Sequence, residues 1–251
     1  MFDSGVGGLS VLRQIRRLLP EADLFYVADR GRAPYGPRSL SEVRQFSLEI
    51  ADWLLAKGAS TLVVACNTAS AAGLDQLRFA HPAVPIVGME PAVKPAAAAT
   101  RTGVIAVFAT AATFQGRLFE SVVSRFTEGV TVMQTACPEW VAMVESGLTG
   151  GPTVEKRLRS DLRPAIAAGA DTIVLGCTHF SFLGDAIQSV VGDQVIVIDP
   201  AEAVARQTAR VSTHSHGSGT LTLAASGDRD RFALLAMDLA GLDAGGVVAF
   251  P

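Results

Sequence analysis

The sequence predicts an α/β protein of two pseudosymmetric lobes, each a mostly parallel sheet flanked by helices, with the functional site between them. Three observations carry that expectation. Apolar runs of four to six residues alternate with amphipathic stretches of twelve or more, the pattern of repeated strand–helix units. Of the 251 residues 49% are hydrophobic, only 6% are aromatic and 24 are glycine, a composition suited to close helix-on-sheet packing. One segment occurs twice: Gly58-Ala59-Ser60-Thr61-Leu62-Val63-Val64-Ala65-Cys66-Asn67-Thr68 lines up without a gap on Gly169-Ala170-Asp171-Thr172-Ile173-Val174-Leu175-Gly176-Cys177-Thr178-His179.

The individual elements follow in order. Leu9, Leu12, Ile15 and Leu19 share one helical face and Arg13, Arg16 and Arg17 the other, as in a helix lying on a sheet. Ser39 with Glu42 reads as a capping box, Val43, Phe46, Ile50, Trp53 and Leu54 form a buried face, and Gly58 stands where the helix stops. A strand over Thr61–Ala65 then ends at Cys66. Pro85, Pro91 and Pro95 punctuate a crossover between the lobes. We expect residues 1–94 with 205–251 to form the first lobe, carrying Cys66, and residues 95–204 the second, carrying Cys177. Thr213–Gly219, with His214 and His216, reads as a surface loop, Thr220–Ala224 as a short strand and Asp230–Leu239 as a closing helix.

Charge and composition exclude several functions. Twenty-one Lys and Arg against 24 Asp and Glu give a net charge of −3, which offers no excess of positive charge to follow a phosphate backbone, so nucleic acid is not expected as a primary partner. No stretch approaches the ~18 apolar residues of a membrane span, and no basic-then-apolar leader precedes Asp3. The expected location is therefore cytoplasmic, where Cys66, Cys137 and Cys177 remain reduced; none belongs to a CxxC pair.

The repeat puts Cys66 and Cys177 at the carboxyl ends of equivalent buried strands, where open α/β sheets place their ligands. Two such thiols facing each other suit chemistry that takes a proton from one face of a carbon and returns one to the other. A helix N-terminus would lower a thiol pKa from its ordinary ~8.5 toward neutrality. Asp3 and His179 are the proton-handling neighbours expected for Cys66 and Cys177. The glycine-rich turn Asp3-Ser4-Gly5-Val6-Gly7-Gly8 offers amides and the Ser4 hydroxyl to an anion, but it matches neither G-x-G-x-x-G nor a P-loop. Asn67, Thr68 and Thr178 are neutral donors at expected helix starts. Zinc held by the two cysteines with His179 and Asp3 is the competing assignment, and the absence of a C-x₂₋₄-C pair weighs against it. Lys57, Lys94 and Lys156 lie in no pyridoxal-phosphate context, so neither cofactor nor metal is expected. Cys137, without a counterpart in the other half, reads as a packing residue.

With these residues in view, the chain resembles the glutamate racemases of the cofactor-independent aspartate/glutamate racemase superfamily, essentially end to end. Phe2-Asp3-Ser4-Gly5-Val6-Gly7-Gly8-Leu9, Pro34-Tyr35-Gly36, Ala65-Cys66-Asn67-Thr68-Ala69-Ser70, Glu90-Pro91-Ala92-Val93-Lys94-Pro95, Gly176-Cys177-Thr178-His179 and Ser226-Gly227-Asp228 carry the resemblance. It implies interconversion of L- and D-glutamate for peptidoglycan synthesis, with catalytic Cys66 and Cys177 assisted by Asp3 and His179. It implies substrate contacts from Asp3, Ser4, Pro34, Tyr35, Gly36, Asn67, Thr68, Thr110, Thr113, Thr178 and His179, support from Glu145, glutamate as the small-molecule partner, and a homodimer. The chain departs from the usual family pattern in having Arg30 after Asp29, Ser181-Phe182 after the Thr-His-aromatic run, and Gly116 and Phe119. Spacing leaves open a racemase for aspartate or another amino acid, and a racemase-like binding or regulatory protein.

Overall fold

A computed structural model describes residues 1–212, 217–243 and 245–251. Ten strands among them form two sheets: β1 Phe2–Asp3, β2 Leu24–Ala28, β3 Leu62–Val64, β4 Ile86–Gly88, β5 Val104–Ala109, β6 Thr131–Ala136, β7 Thr172–Gly176, β8 Ile196–Ile198, β9 Leu221–Ala225 and β10 Val247–Ala249. The first sheet has the order β10-β9-β2-β1-β3-β4 and the second β6-β5-β7-β8. Every pairing is parallel, so helices cover the sheet faces. Strands β2-β1-β3-β4 repeat the order of β6-β5-β7-β8. The duplicated segment accordingly supplies β3 in one sheet and β7 in the other, both fully buried. Strands β9 and β10 extend the first sheet alone.

The local reading of the sequence holds with small shifts. Helix Leu9–Leu18 buries Leu9, Leu12 and Ile15 and ends in Arg16 and Arg17. Ser39 Oγ accepts from the Glu42 amide while the Glu42 carboxylate accepts from the Ser39 amide at 3.1 Å, closing the capping box of helix Leu40–Ala56. Gly58 follows at φ +90°, a conformation natural to glycine. The strand expected over Thr61–Ala65 is the shorter β3, the one over Thr220–Ala224 is β9, and the closing helix runs Arg229–Ala240, capped by Asp228. Residues 213–216 of the expected loop, His214 and His216 included, lie outside the described residues. Pro85 precedes β4, and Pro91 and Pro95 lie in the crossover to β5, around helix Val93–Ala99. The chain returns through helix Ala201–Val211, which packs against Leu9–Leu18; a division between 204 and 205 falls inside this helix.

Two interactions fix the second sheet's site-bearing elements. The buried Trp140 ring stacks on Phe108 of β5, with centroids 5.2 Å apart, and meets Phe180 edge-on at 4.9 Å. Helix Pro138–Glu145 and the 3₁₀ turn Thr178–Leu183 are thereby held against the strand ends. At the other end of β7, the Asp171 carboxylate accepts from Thr100 Oγ1 (2.6 Å), the Arg101 amide (2.7 Å), the Thr102 amide (3.0 Å) and Thr172 Oγ1 (3.1 Å).

Although burial works the other way, these hydrogen bonds hold the Asp171 pKa down at about 2. A carboxyl depressed on folding contributes stability above its unfolded pKa near 3.8 and loses it as pH falls through the folded value. Asp171→Asn turns an amide NH₂ toward backbone donors. It is expected to cost about 1–3 kcal/mol at pH 7 by urea unfolding, a difference from wild type that shrinks between about pH 4 and 2. A pH-independent difference would refute the carboxylate's role.

Candidate active site

The carboxyl ends of both sheets open onto one cavity of about 620 Å³. Both repeat cysteines line it, Cys66 following β3 and Cys177 following β7. Of the other residues singled out from the sequence, Ser4, Pro34, Tyr35, Gly36, Asn67, Thr68, Thr110, Thr178, His179 and Glu145 also line it. Asp3 and Thr113 are buried beside it, Asp3 bonded to Thr178 and Thr113 to Thr110. Cys137 is buried at the start of helix Pro138–Glu145, off the cavity, its thiol pushed up to about 12 chiefly by burial.

The expected anion-receiving turn serves a different purpose. The Gly5 amide donates to Asp3 Oδ1 at 2.7 Å and the Val6 amide to Glu145 Oε1 at 2.8 Å, so these donors already hold the protein's own carboxylates. Ser4 Oγ donates to Asp3 Oδ1 (3.2 Å) and receives from Cys66 Sγ at 3.9 Å, while Thr178 Oγ1 donates to Asp3 Oδ2 at 2.8 Å. Asp3 thus connects the β1 end to both cysteine-bearing loops. Burial raises its pKa, and the nearby His179 and the Gly5 and Thr178 hydrogen bonds oppose the rise.

The two cysteines differ in their surroundings. Cys66 Sγ caps helix Asn67–Ala80, accepting from the Ala69 amide at 3.5 Å. The lowered thiol pKa expected there is not found. Burial, reinforced by the Asp3 charge, outweighs that amide and pushes the Cys66 thiol well up. Cys177 leads into a 3₁₀ turn, not an α-helix, and its Sγ lies 3.7 Å from His179 Nδ1. His179 Nε2 donates to Glu145 Oε1 at 2.7 Å. Burial would lower the His179 pKa, but its bonds to Cys177 and Glu145 prevail and raise it well above the ordinary value. Glu145 in turn is held below the carboxylate range: burial opposes this, and His179, the Val6 amide and Arg30 outweigh it.

The rest of the wall is built for a polar guest. Asn67 is buried, and both its side-chain oxygen and nitrogen lack a partner, an unmet donor and acceptor that a ligand would satisfy. Thr68 and Thr110 join across the lobes at 2.8 Å, and Thr113 backs Thr110 at 2.9 Å. Asp29 receives the Tyr35 hydroxyl, Arg32 Nε (2.6 Å) and Ser226 Oγ (2.8 Å), and Ser226 Oγ accepts from the Gly31 amide (2.8 Å). This network, missed in the sequence apart from the Ser226-Gly227-Asp228 motif, holds the Pro34-Tyr35-Gly36 wall. Arg30, noted in the sequence only as a departure, also lines the cavity. Among the described residues no three His, Cys, Asp or Glu side chains converge as a metal site requires, and no helix is long and apolar enough to cross a membrane.

A two-lobed α/β enzyme with paired strand-end thiols in its cleft is what this arrangement defines. The chain belongs to the Asp/Glu/Hydantoin racemase family, whose sequence model matches residues 7–208, and is an amino-acid racemase. It is 48% identical over 243 residues to the glutamate racemase of Roseiflexus sp. (strain RS-1), covering 94% of this chain and 89% of that protein. To the glutamate racemase of Ectopseudomonas mendocina (strain ymp) it is 50% identical over 211 residues, 84% of this chain and 80% of the relative. The crystal structure of Escherichia coli glutamate racemase, in complex with L-glutamate and the activator UDP-MurNAc-Ala, superposes with a TM-score of 0.86 at 30% identity, covering 99% of this chain and 95% of that one.

Because alkylation requires the thiolate, the raised Cys66 thiol is expected to react with iodoacetamide at pH 8 at least about 100-fold more slowly than free cysteine. Peptide mass spectrometry measures this directly. Labelling of Cys66 at the free-cysteine rate would contradict the electrostatics described.

Proposed function

We propose that the chain interconverts L- and D-glutamate without a cofactor, Cys66 and Cys177 acting as the two bases, and so supplies D-glutamate for peptidoglycan synthesis. The observation that supports this most is the opening of two equivalent strand-end thiols, one from each lobe, into a single cavity. The names of the relatives support glutamate as substrate.

One thiolate removes the α-proton, leaving a planar carbanion, and the thiol on the opposite side protonates it. The Asn67 amide and the hydroxyls of Ser4, Thr68, Thr110 and Thr178 hold the amino acid's carboxylates and ammonium group. An α-ammonium entering beside Cys66 supplies the positive charge that the empty wall lacks there, and so favours the thiolate that Asp3 and burial otherwise disfavour. Next to Cys177 a protonated His179 provides the positive partner, with Glu145 behind it. On this reading the protein works in the cytoplasm as a homodimer, and Asp3 and His179 assist the two thiols.

Cys66→Ser and Cys177→Ser are each expected to stay folded and to lose about 10²–10⁴-fold in kcat/KM for glutamate by chiral chromatography. In D₂O each variant retains a base on one face only, so α-deuterium enters one enantiomer without inversion. Wild-type turnover by either variant would overturn the two-thiol mechanism, and preferential turnover of aspartate by the wild type would overturn the substrate assignment.

A further inference from the structure

The Glu145 carboxylate has two oxygens with unequal duties. Oε1 accepts from the Val6 amide at 2.8 Å and from His179 Nε2 at 2.7 Å. Oε2 has Arg30, whose Nε stands 3.3 Å away. Arg30 follows the end of β2, its side chain is only 16% exposed, and its Nη1 donates to the Asp228 carbonyl at 3.2 Å. The Glu145 side chain is 21% exposed and lies on the second lobe's helix Pro138–Glu145. The guanidinium therefore reaches from the β2 loop to a carboxylate on the other lobe, and the Asp228 carbonyl anchors it from a third segment.

We propose that Arg30 is a positioning residue of this site: held by the Asp228 carbonyl, its guanidinium fixes Glu145 Oε2 so that Oε1 stays on His179, and His179 stays beside Cys177. The inference rests on the racemase reading above and deepens it. A carboxylate held at one oxygen only can swing about its side-chain torsions, which are broad for glutamate. A misplacement of about 1 Å in a group supporting chemistry can cost about 100-fold in rate. Charge points the same way. Asp3 lies within electrostatic reach of Glu145, and a dicarboxylate guest adds negative charge, so Arg30 and His179 are the cations that keep Glu145 ionised. Neither stability nor direct substrate binding is needed for this role, and a partly exposed single ion pair is worth little to the fold.

The experiment compares wild type with Arg30→Ala, Arg30→Lys, Glu145→Gln and the Arg30→Ala/Glu145→Gln double variant. Arg30→Ala is expected to lower kcat about tenfold to 100-fold with little change in KM, and Arg30→Lys to restore part of the loss. Without Arg30, Glu145 protonates at higher pH, and its loosened hold on His179 outweighs the relief from the lost guanidinium charge so that His179 loses its proton at lower pH; the pH profile of kcat/KM narrows from both sides. In the Glu145→Gln background, removing Arg30 is expected to cost nothing more, because its action runs through that carboxylate. The His179 titration followed by NMR in ligand-free protein is expected to move down in Arg30→Ala, whether or not turnover is measured. A raised KM at unchanged kcat, or a full additional loss in the Glu145→Gln background, would overturn the inference in favour of direct substrate contact; an unmoved His179 titration overturns it outright. If wild type failed to racemise glutamate, the functional reading would fall while the NMR shift still decided the role of Arg30.

Discussion

Everything at this site depends on how closely two lobes approach across one glycine turn. A Cβ on Gly5 would stand 1.9 Å from Glu145 Oε1, and one on Gly7 would stand 2.4 Å from His179 Nδ1 and 2.5 Å from Thr178 Oγ1. Neither glycine has the positive φ that would explain it by conformation. The reason is space: backbone from the first lobe lies directly against the carboxylate, imidazole and hydroxyl of the second. Gly8 meets the same limit from its own side, where a Cβ would fall 2.8 Å from Asp3 Cβ and 2.9 Å from the Tyr26 hydroxyl oxygen. A side chain at Gly5 or Gly7 would displace Glu145, His179 or Thr178 from the places they hold, and one at Gly8 would press on Asp3 and Tyr26 within the first lobe.

That close approach also settles where the buried charges go. Two carboxylates, Asp3 and Glu145, lie at the junction, and burying an unpaired charge is costly. The turn's amides answer the demand, one for each carboxylate, while Thr178 and His179 from the second lobe complete the sets. The lobes are therefore joined by charge-assisted hydrogen bonds, which are directional and stronger than neutral ones, where a greasy interface would allow sliding. The neutral Thr68–Thr110 contact continues the seam.

The alternation of parallel strands with helices, the capping box and the two strand-end cysteines were legible because each is written in neighbouring residues or in a repeat. Cys66 and Cys177 emerged from the duplication, which the sheets reproduce as β3 and β7. What was not legible depends on residues far apart in the chain. Arg30 looks like an ordinary surface charge until folding brings it to Glu145, a residue that the motif resemblance named without its partner. Asp29 belongs to no recognisable pattern, yet three donors converge on it from Arg32, Tyr35 and Ser226. The pKa of Cys66 failed as an expectation for a related reason: the helix start was visible locally, but the burial and the Asp3 carboxylate that outweigh it come from β1, which pairs beside β3. The bonds by which Asp3 and Thr113 hold Thr178 and Thr110 likewise join residues distant in the chain or within a turn that sequence alone does not orient.

The duplication makes the cysteines equivalent in position without making them equivalent in environment. Cys66 caps an α-helix and feels the negative Asp3; Cys177 precedes a 3₁₀ turn and has His179 beside it. For the proposed reaction this asymmetry has a strict bound. Mirror-image amino acids have equal free energies in water, so the two directions must share one kcat/KM however different the sulfurs are. Unequal surroundings are free to act on kcat and KM separately, by favouring one protonation state of the empty enzyme over the other. Duplication of one strand–helix unit thus supplies two equivalent strand-end thiols, and the neighbours the copies do not share, Asp3 near Cys66 and His179 beside Cys177, make their surroundings unequal.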